Sequence, residues 1–200
     1  MVGLRYTGGL ELEGIYDSSW GDDLDDRRSQ AAFVFTMGGT AVSWKSWKKE
    51  VSRSTVEAEH CAASDAAAEP RGFSNLLTEL GYAPCLPVKI HTDNKGAQVM
   101  IENNASRRRT RDIDTRYHFV LDFHRLGYCT FPRVTSLLNY SDFGTKGVGI
   151  VKHSFCCHEI GMTTEKSLAF QIGKSTKEAR EELKQDRENM RKITQKWNKK

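Results

Sequence analysis

Ala31-Ala32-Phe33-Val34-Phe35-Thr36-Met37-Gly38-Gly39-Thr40-Ala41-Val42-Ser43-Trp44 is the stretch whose reading decides the fold. An apolar and aromatic run meets a glycine pair, and the strand pattern then resumes. Aromatic and β-branched side chains suit a pleated, half-buried surface. Two glycines reach the positive φ that a tight hairpin needs at little steric cost. Upstream, Leu10, Leu12, Gly14 and Tyr16 alternate with Glu11, Glu13, Ile15 and Asp17, which is the period of a strand. The three segments predict an antiparallel meander.

Beyond the meander the period changes. Ser54-Thr55-Val56-Glu57 is a capping-box pattern, followed by Ala58, Ala62, Ala63, Ala66 and Ala67, a strong helix former. Pro70 and Gly72 interrupt it, Phe73, Leu76, Leu77 and Leu80 resume the spacing, and Gly81 stops it. This predicts a kinked helix or two helices. Val88 to Thr92 reads as a short strand ending at Asp93. Residues 94–102 and Asp112 to Arg125 suit helices, Gly127 to Val134 is strand-like, and Leu137 to Phe143 suits a short helix. The order βββ-α-β-α-α-β-α describes an α/β fold, a mixed sheet with helices on its faces.

The chain has 200 residues, enough for one domain, or one domain and a tail, with a core that needs no staples. A hydrophobic share of 38% with only 4 prolines excludes collagen-like, mucin-like and wholly disordered classes. No apolar run approaches the roughly 18 residues of a membrane-spanning helix, and the opening residues lack a secretory apolar core. Five cysteines without framework spacing predict reduced thiols in an intracellular setting, cytoplasmic or nuclear. The net charge of +4 permits a nucleic-acid partner without requiring one. From Glu165 onward eleven Lys/Arg face six Asp/Glu, so a boundary is expected near Gly147–Gly149. Residues 1–147 would form the domain, and 148–200 a divergent tail with a basic amphipathic helix at about 176–197.

Four acids stand where chemistry often sits: Asp17 near the end of the first strand, Glu59 early in the first long helix, Asp93 at the edge of the later strand, and Asp142 after the last one. Carboxylates held close repel unless a cation neutralises them, and an all-oxygen site suits Mg²⁺ or Mn²⁺. Spacing alone equally allows a turn residue, a solvated helix acid, a helix cap and a surface acid. Arg107, Arg108, Arg109 and Arg111 form the sharpest basic cluster, a solvated loop or a set of phosphate contacts. Asn94 suits either a minor-groove contact or a helix cap. Trp20, Trp44 and Trp47 read as core and sheet-edge residues. Cys156-Cys157-His158 with His153 matches no zinc signature, and Gly173-Lys174-Ser175 lacks the glycine a phosphate loop requires.

The local sequences add to this. Ile15-Tyr16-Asp17-Ser18-Ser19-Trp20 with the acids that follow, and Phe33 to Gly39 with Ala41 to Ser46, resemble the opening of the ribonuclease H domain of copia-type retrotransposon Pol polyproteins. Ser54-Thr55-Val56-Glu57-Ala58-Glu59-His60 resembles that family's helix start, and His91-Thr92-Asp93-Asn94 its Asp-Asn motif. Arg109 to Phe119 and Leu138 to Lys146 resemble two further blocks. The ordered blocks cover about residues 10–147. The pattern departs at Ser19, where the family has a second acid, and at Pro70 and Gly72, where it has uninterrupted helix.

The resemblance implies a ribonuclease H-like fold, a five-stranded mixed sheet with helices on both faces, followed here by a charged helical tail. It implies that Asp17, Glu59, Asp93 and Asp142 meet at one sheet edge and hold two Mg²⁺ ions, with Mn²⁺ as the alternative. Asp17 would bridge both ions, Glu59 and Asp93 would complete one site, and Asp142 the other. Glu57 competes with Glu59; family register favours Glu59. The implied reaction is hydrolysis of the RNA strand of an RNA–DNA hybrid, leaving a 5′-phosphate and a 3′-hydroxyl. The reverse transcriptase portion of a parent polyprotein is a candidate partner, and no membrane is expected. A silent hybrid-binding remnant, and a structural protein acting through its basic C-terminal helix, stand as the alternatives.

Overall fold

Five strands in the order β4-β3-β2-β5-β6 form the sheet that organises the chain. The structure is a computed structural model and describes residues 3–163, apart from 5, 7, 8, 24, 50, 51, 53, 84, 85 and 103–110. After a short β1 (Gly3–Leu4), β2 (Leu12–Ser19), β3 (Gln30–Met37) and β4 (Thr40–Lys48) make the expected antiparallel meander. Gly38 and Gly39 turn it with φ of 58° and 79°. Helices α1 (Thr55–Ala67) and α2 (Glu69–Glu79) carry the chain across to β5 (Val88–His91), which lies parallel to β2. Helices α3 (Lys95–Glu102) and α4 (Arg111–Arg125) return it to β6 (Cys129–Thr130), parallel to β5. Two 3-10 turns, Ser136–Leu138 and Asp142–Gly144, precede α5 (Ile150–Glu159) and β7 (Met162–Thr163), which pairs with β1.

The pleat sorts the sheet residues into two cores. Leu12, Tyr16, Phe33, Phe35, Val88, Ile90 and Phe131 pack with the α1 alanines, Ile101 of α3, and Val120 and Phe123 of α4. Ile15, Val34 and Ala41 face the other way, under Tyr140, Phe143, Ile160 and Met162. The backbone amide of Ala41 also donates to the Ile160 carbonyl at 2.9 Å. The result is an α/β fold, a five-stranded mixed sheet flanked by helices. At Gly14 any side chain would force a shift in the core, because a Cβ there would lie 2.5 Å from the Phe35 ring.

Local chemistry accounts for the element ends. The Ser54 hydroxyl caps α1 by accepting from the Glu57 amide at 3.2 Å. The Pro70 region forms two helices. Pro70 lies in the first turn of α2, where its missing N–H has no helical acceptor to lose, so it carries none of the cost of an interior proline. The strand expected over Gly127 to Val134 shortens to Cys129–Thr130 plus a bridge from Arg133 to Thr92, because Pro132 lacks a donor for the ladder. The helix expected over Leu137 to Phe143 splits into two 3-10 turns. Between them the Asn139 side chain accepts from both the amide and the hydroxyl of Ser141, at 3.1 and 2.6 Å. Trp47 packs on Phe33, but Trp44 is 63% exposed and Trp20 half-exposed, so only one of the three is a core residue. Helix α5 was not expected from the sequence, and the helix expected at 176–197 lies outside the described residues. Among the described residues no helix is long and apolar enough to cross a membrane.

Candidate metal centre

The parallel register pairs Ile15 of β2 with His91 of β5, so two residues further on Asp17 and Asp93 come level at the strand ends. Asp17 shares its sheet face with Ile15 and is buried. Glu59 reaches the same point from α1. The backbone amide of Ser18 donates to its Oε1 at 3.3 Å. One oxygen from each of Asp17, Glu59 and Asp93 lies within 4.8 Å of the other two. Glu57 sits two residues, about 200°, around the helix from Glu59. Glu59 is 3% exposed, so the helix phase agrees with the choice of Glu59.

Three carboxylates cannot all ionise there cheaply. Burial pushes Asp17 up to about 6, against the pull of the Thr145 hydroxyl and the Lys146 ammonium. Burial, then the neighbouring Asp17 and Asp93, push Glu59 up to about 9. Glu59 Oε2 is buried with no hydrogen-bond partner among the described residues. A buried carboxylate oxygen without a hydrogen-bond partner, on a side chain of an all-oxygen cluster, fits a hard divalent cation.

Asp142 comes to the same edge by a different route. It opens the second 3-10 turn and is buried. Its carboxylate is held by Lys146 Nζ at 2.7 Å and Lys152 Nζ at 3.1 Å. Lys146 Nζ also lies 3.7 Å from Asp17 Oδ2, so one ammonium stands between the two acids. The Thr145 hydroxyl hydrogen-bonds Asp17 Oδ2, and the Asn139 amide donates to Asp17 Oδ1 at 3.4 Å. The structure thus places Asp17, Glu59 and Asp93 in one cluster, with Asp142 joined to it through Lys146.

Asn139, Thr145, Lys146 and Lys152 were not anticipated. The first three lie in the quoted block Leu138 to Lys146, where an acid flanked by a short polar side chain and a lysine was the available signal. Lys152 had none. Of the other expected contacts, Asn94 caps α3, its Oδ1 accepting from the Ala97 amide at 3.0 Å. Arg111 begins α4. Arg107, Arg108 and Arg109, and the side chain of Arg111, lie outside the described residues.

No family model matches the chain. Over 152 residues, 76% of its length, it is 32% identical to the retrovirus-related Pol polyprotein from transposon TNT 1-94 of Nicotiana tabacum. Over 174 residues, 80% of its length, it is 29% identical to the corresponding polyprotein from transposon RE1 of Arabidopsis thaliana. The chain spans only 11% and 12% of those two proteins. Among solved structures, LC11-RNase H1 in complex with an RNA/DNA hybrid superposes with a TM-score of 0.52 at 11% identity, over 67% of this chain and 93% of that one. The chain therefore has a ribonuclease H-like fold related to the retrovirus-related Pol polyproteins of transposons.

Proposed function

We propose that the chain hydrolyses the RNA strand of an RNA–DNA hybrid with the help of divalent cations, leaving a 5′-phosphate and a 3′-hydroxyl. We further propose that it is part of, or derived from, a copia-type retrotransposon polyprotein, with the nuclease domain running past the expected bound at residue 147 to β7, because Ile160 and Met162 pack under the sheet and Lys152 holds Asp142. The observation that carries this reading is the convergence of Asp17, Glu59 and Asp93 with a buried, unpartnered Glu59 oxygen. Bound Mg²⁺ or Mn²⁺ supplies water activation and charge neutralisation at a phosphodiester. Asp17, Glu59 and Asp93 would hold one ion, and Asp17 with Asp142 would face the other.

The chain's own residues set the geometry. Asn139 and Thr145 fix the Asp17 carboxylate by donating one hydrogen bond to each of its oxygens. Asp93 is only partly buried and opens the cluster toward solvent, where a phosphate backbone would approach. The 2′-hydroxyl is the chemical handle that separates RNA from DNA. The hybrid bound to the structurally similar LC11-RNase H1 supports the choice of substrate. Arg107, Arg108, Arg109 and Arg111 are the proposed phosphate contacts, and the reverse transcriptase portion of the parent polyprotein the proposed protein partner.

A labelled RNA–DNA hybrid incubated with the chain and Mg²⁺ tests this. Cleavage of the RNA strand is expected, reduced roughly 100-fold or more in Asp17→Asn and Asp93→Asn. Binding without cleavage by the unaltered chain would make it a silent hybrid-binding remnant. Absence of binding at low salt would remove the nucleic-acid reading altogether.

A further inference from the structure

Two lysines touch Asp142, and they are held differently. Lys152 Nζ has three hydrogens and three acceptors, Asp142 Oδ2 at 3.1 Å, the Ser136 carbonyl at 2.7 Å and the Leu137 carbonyl at 2.9 Å. Its side chain is 19% exposed, so it is a fixed clamp. Among the described residues Lys146 Nζ is placed by two carboxylates, Asp142 Oδ1 at 2.7 Å and Asp17 Oδ2 at 3.7 Å, and its side chain is 48% exposed. A flexible four-carbon stem on a half-exposed side chain leaves the ammonium free to move outward.

We propose that the Lys146 ammonium is a tethered cation that holds the place between Asp17 and Asp142 in the resting protein and must swing out before a second divalent cation binds there. This deepens the hydrolase reading and rests on it. The charge balance points the same way. Four ionised carboxylates are neutralised by one divalent cation in the Asp17-Glu59-Asp93 cluster together with Lys146 and Lys152. A second divalent cation in the free protein would leave an uncompensated excess of positive charge in a partly buried place. That excess is two charges: departure of Lys146 removes one, and arrival of a singly charged phosphodiester removes the other. The second ion is therefore coupled to substrate, and Lys146 is the residue that couples it.

The test is the number of Mn²⁺ ions bound by the full chain without nucleic acid, by calorimetry and by electron paramagnetic resonance of the free ion. The unaltered chain is expected to bind one. Lys146→Met, or Lys146→Gln should the first not fold, is expected to bind two, the second about tenfold tighter than any second event in the unaltered chain. Lys146→Arg keeps a cation in place and is expected to bind one. Lys152→Met removes an equal charge without vacating the position and is also expected to bind one. An unchanged count in the Lys146 variants overturns the proposal, and so does an equal rise in Lys152→Met, which would make simple charge relief the cause. If no variant binds Mn²⁺, this inference and the hydrolase reading fall together. The expected counts with an uncut hybrid would remove the hydrolase reading alone.

Discussion

Glu59 shows at the scale of one side chain how the site opposes its own fold. Its carboxyl is held at about 9 by burial and by Asp17 and Asp93, whereas in the unfolded chain it would titrate near its ordinary 4.5. The folded state therefore binds the extra proton between those values, and stability falls as pH rises through that window. Burial also raises the thiols of Cys129, Cys156 and Cys157, which add a loss of the same sign toward pH 9, so the part of the drop that depends on the Glu59 carboxyl is what reports on this acid. The melting temperature of the chelator-treated chain is expected to drop across pH 7 to 9, and the drop to shrink in Glu59→Gln. Added Mn²⁺ should also shrink it in the unaltered chain and not in the variant. His60 has the opposite sign. Burial holds its imidazole down to about 4, so its contribution is lost as pH falls from about 6.5 toward 4. The four acids were legible because each lies in a recognisable local sequence. Lys152 was not, since its contact with Asp142 is made by a turn of backbone that no residue pattern announces.

Among the elements, those with strong local chemistry were legible, and those set by tertiary contacts were not. Helix α1 carries a cap and an alanine run, so its bounds follow from the sequence. Ser54→Ala is expected to cost about 1 kcal/mol in urea unfolding, because an amide at the helix start loses its acceptor. Pro70→Ala is expected to change stability by less than about 0.5 kcal/mol, since a first-turn proline breaks no helical bond. A larger loss would mean that the α1–α2 junction depends on the ring. β2 offers a contrast. Gly14→Ala puts a methyl into the Phe35 ring and should cost roughly 1–3 kcal/mol without changing the fold. The short β6, the two 3-10 turns and α5 follow from Pro132, from the Asn139 side chain and from contacts of α5 with β7 and the second 3-10 turn. None of these is encoded in hydrophobic period.

Over the whole molecule, the sheet needs cover on both sides. The α1, α3 and α4 side was visible as periodic helices. The other side is covered by segments that lack period altogether, yet they bury Ile15, Val34 and Ala41 and deliver Lys152 to Asp142. Ending the chain at residue 147 removes α5 and β7 and uncovers that side. Such a chain is expected to unfold at lower urea and to bind a fluorescent apolar dye, although every sequence block quoted above is retained. An unchanged urea midpoint would mean that α5 only decorates the sheet.

The antiparallel pairing of Gly3 with Thr163 and Leu4 with Met162 has a further consequence. Paired backbones of this kind run about 5 Å apart, so the polypeptide enters and leaves this unit through a single doorway. Inserted between two neighbours in a longer protein, it would hang as a side loop and leave their separation nearly unchanged. A circular permutant that joins these two points with a few glycines and opens instead at Gly38-Gly39 should recover the same architecture.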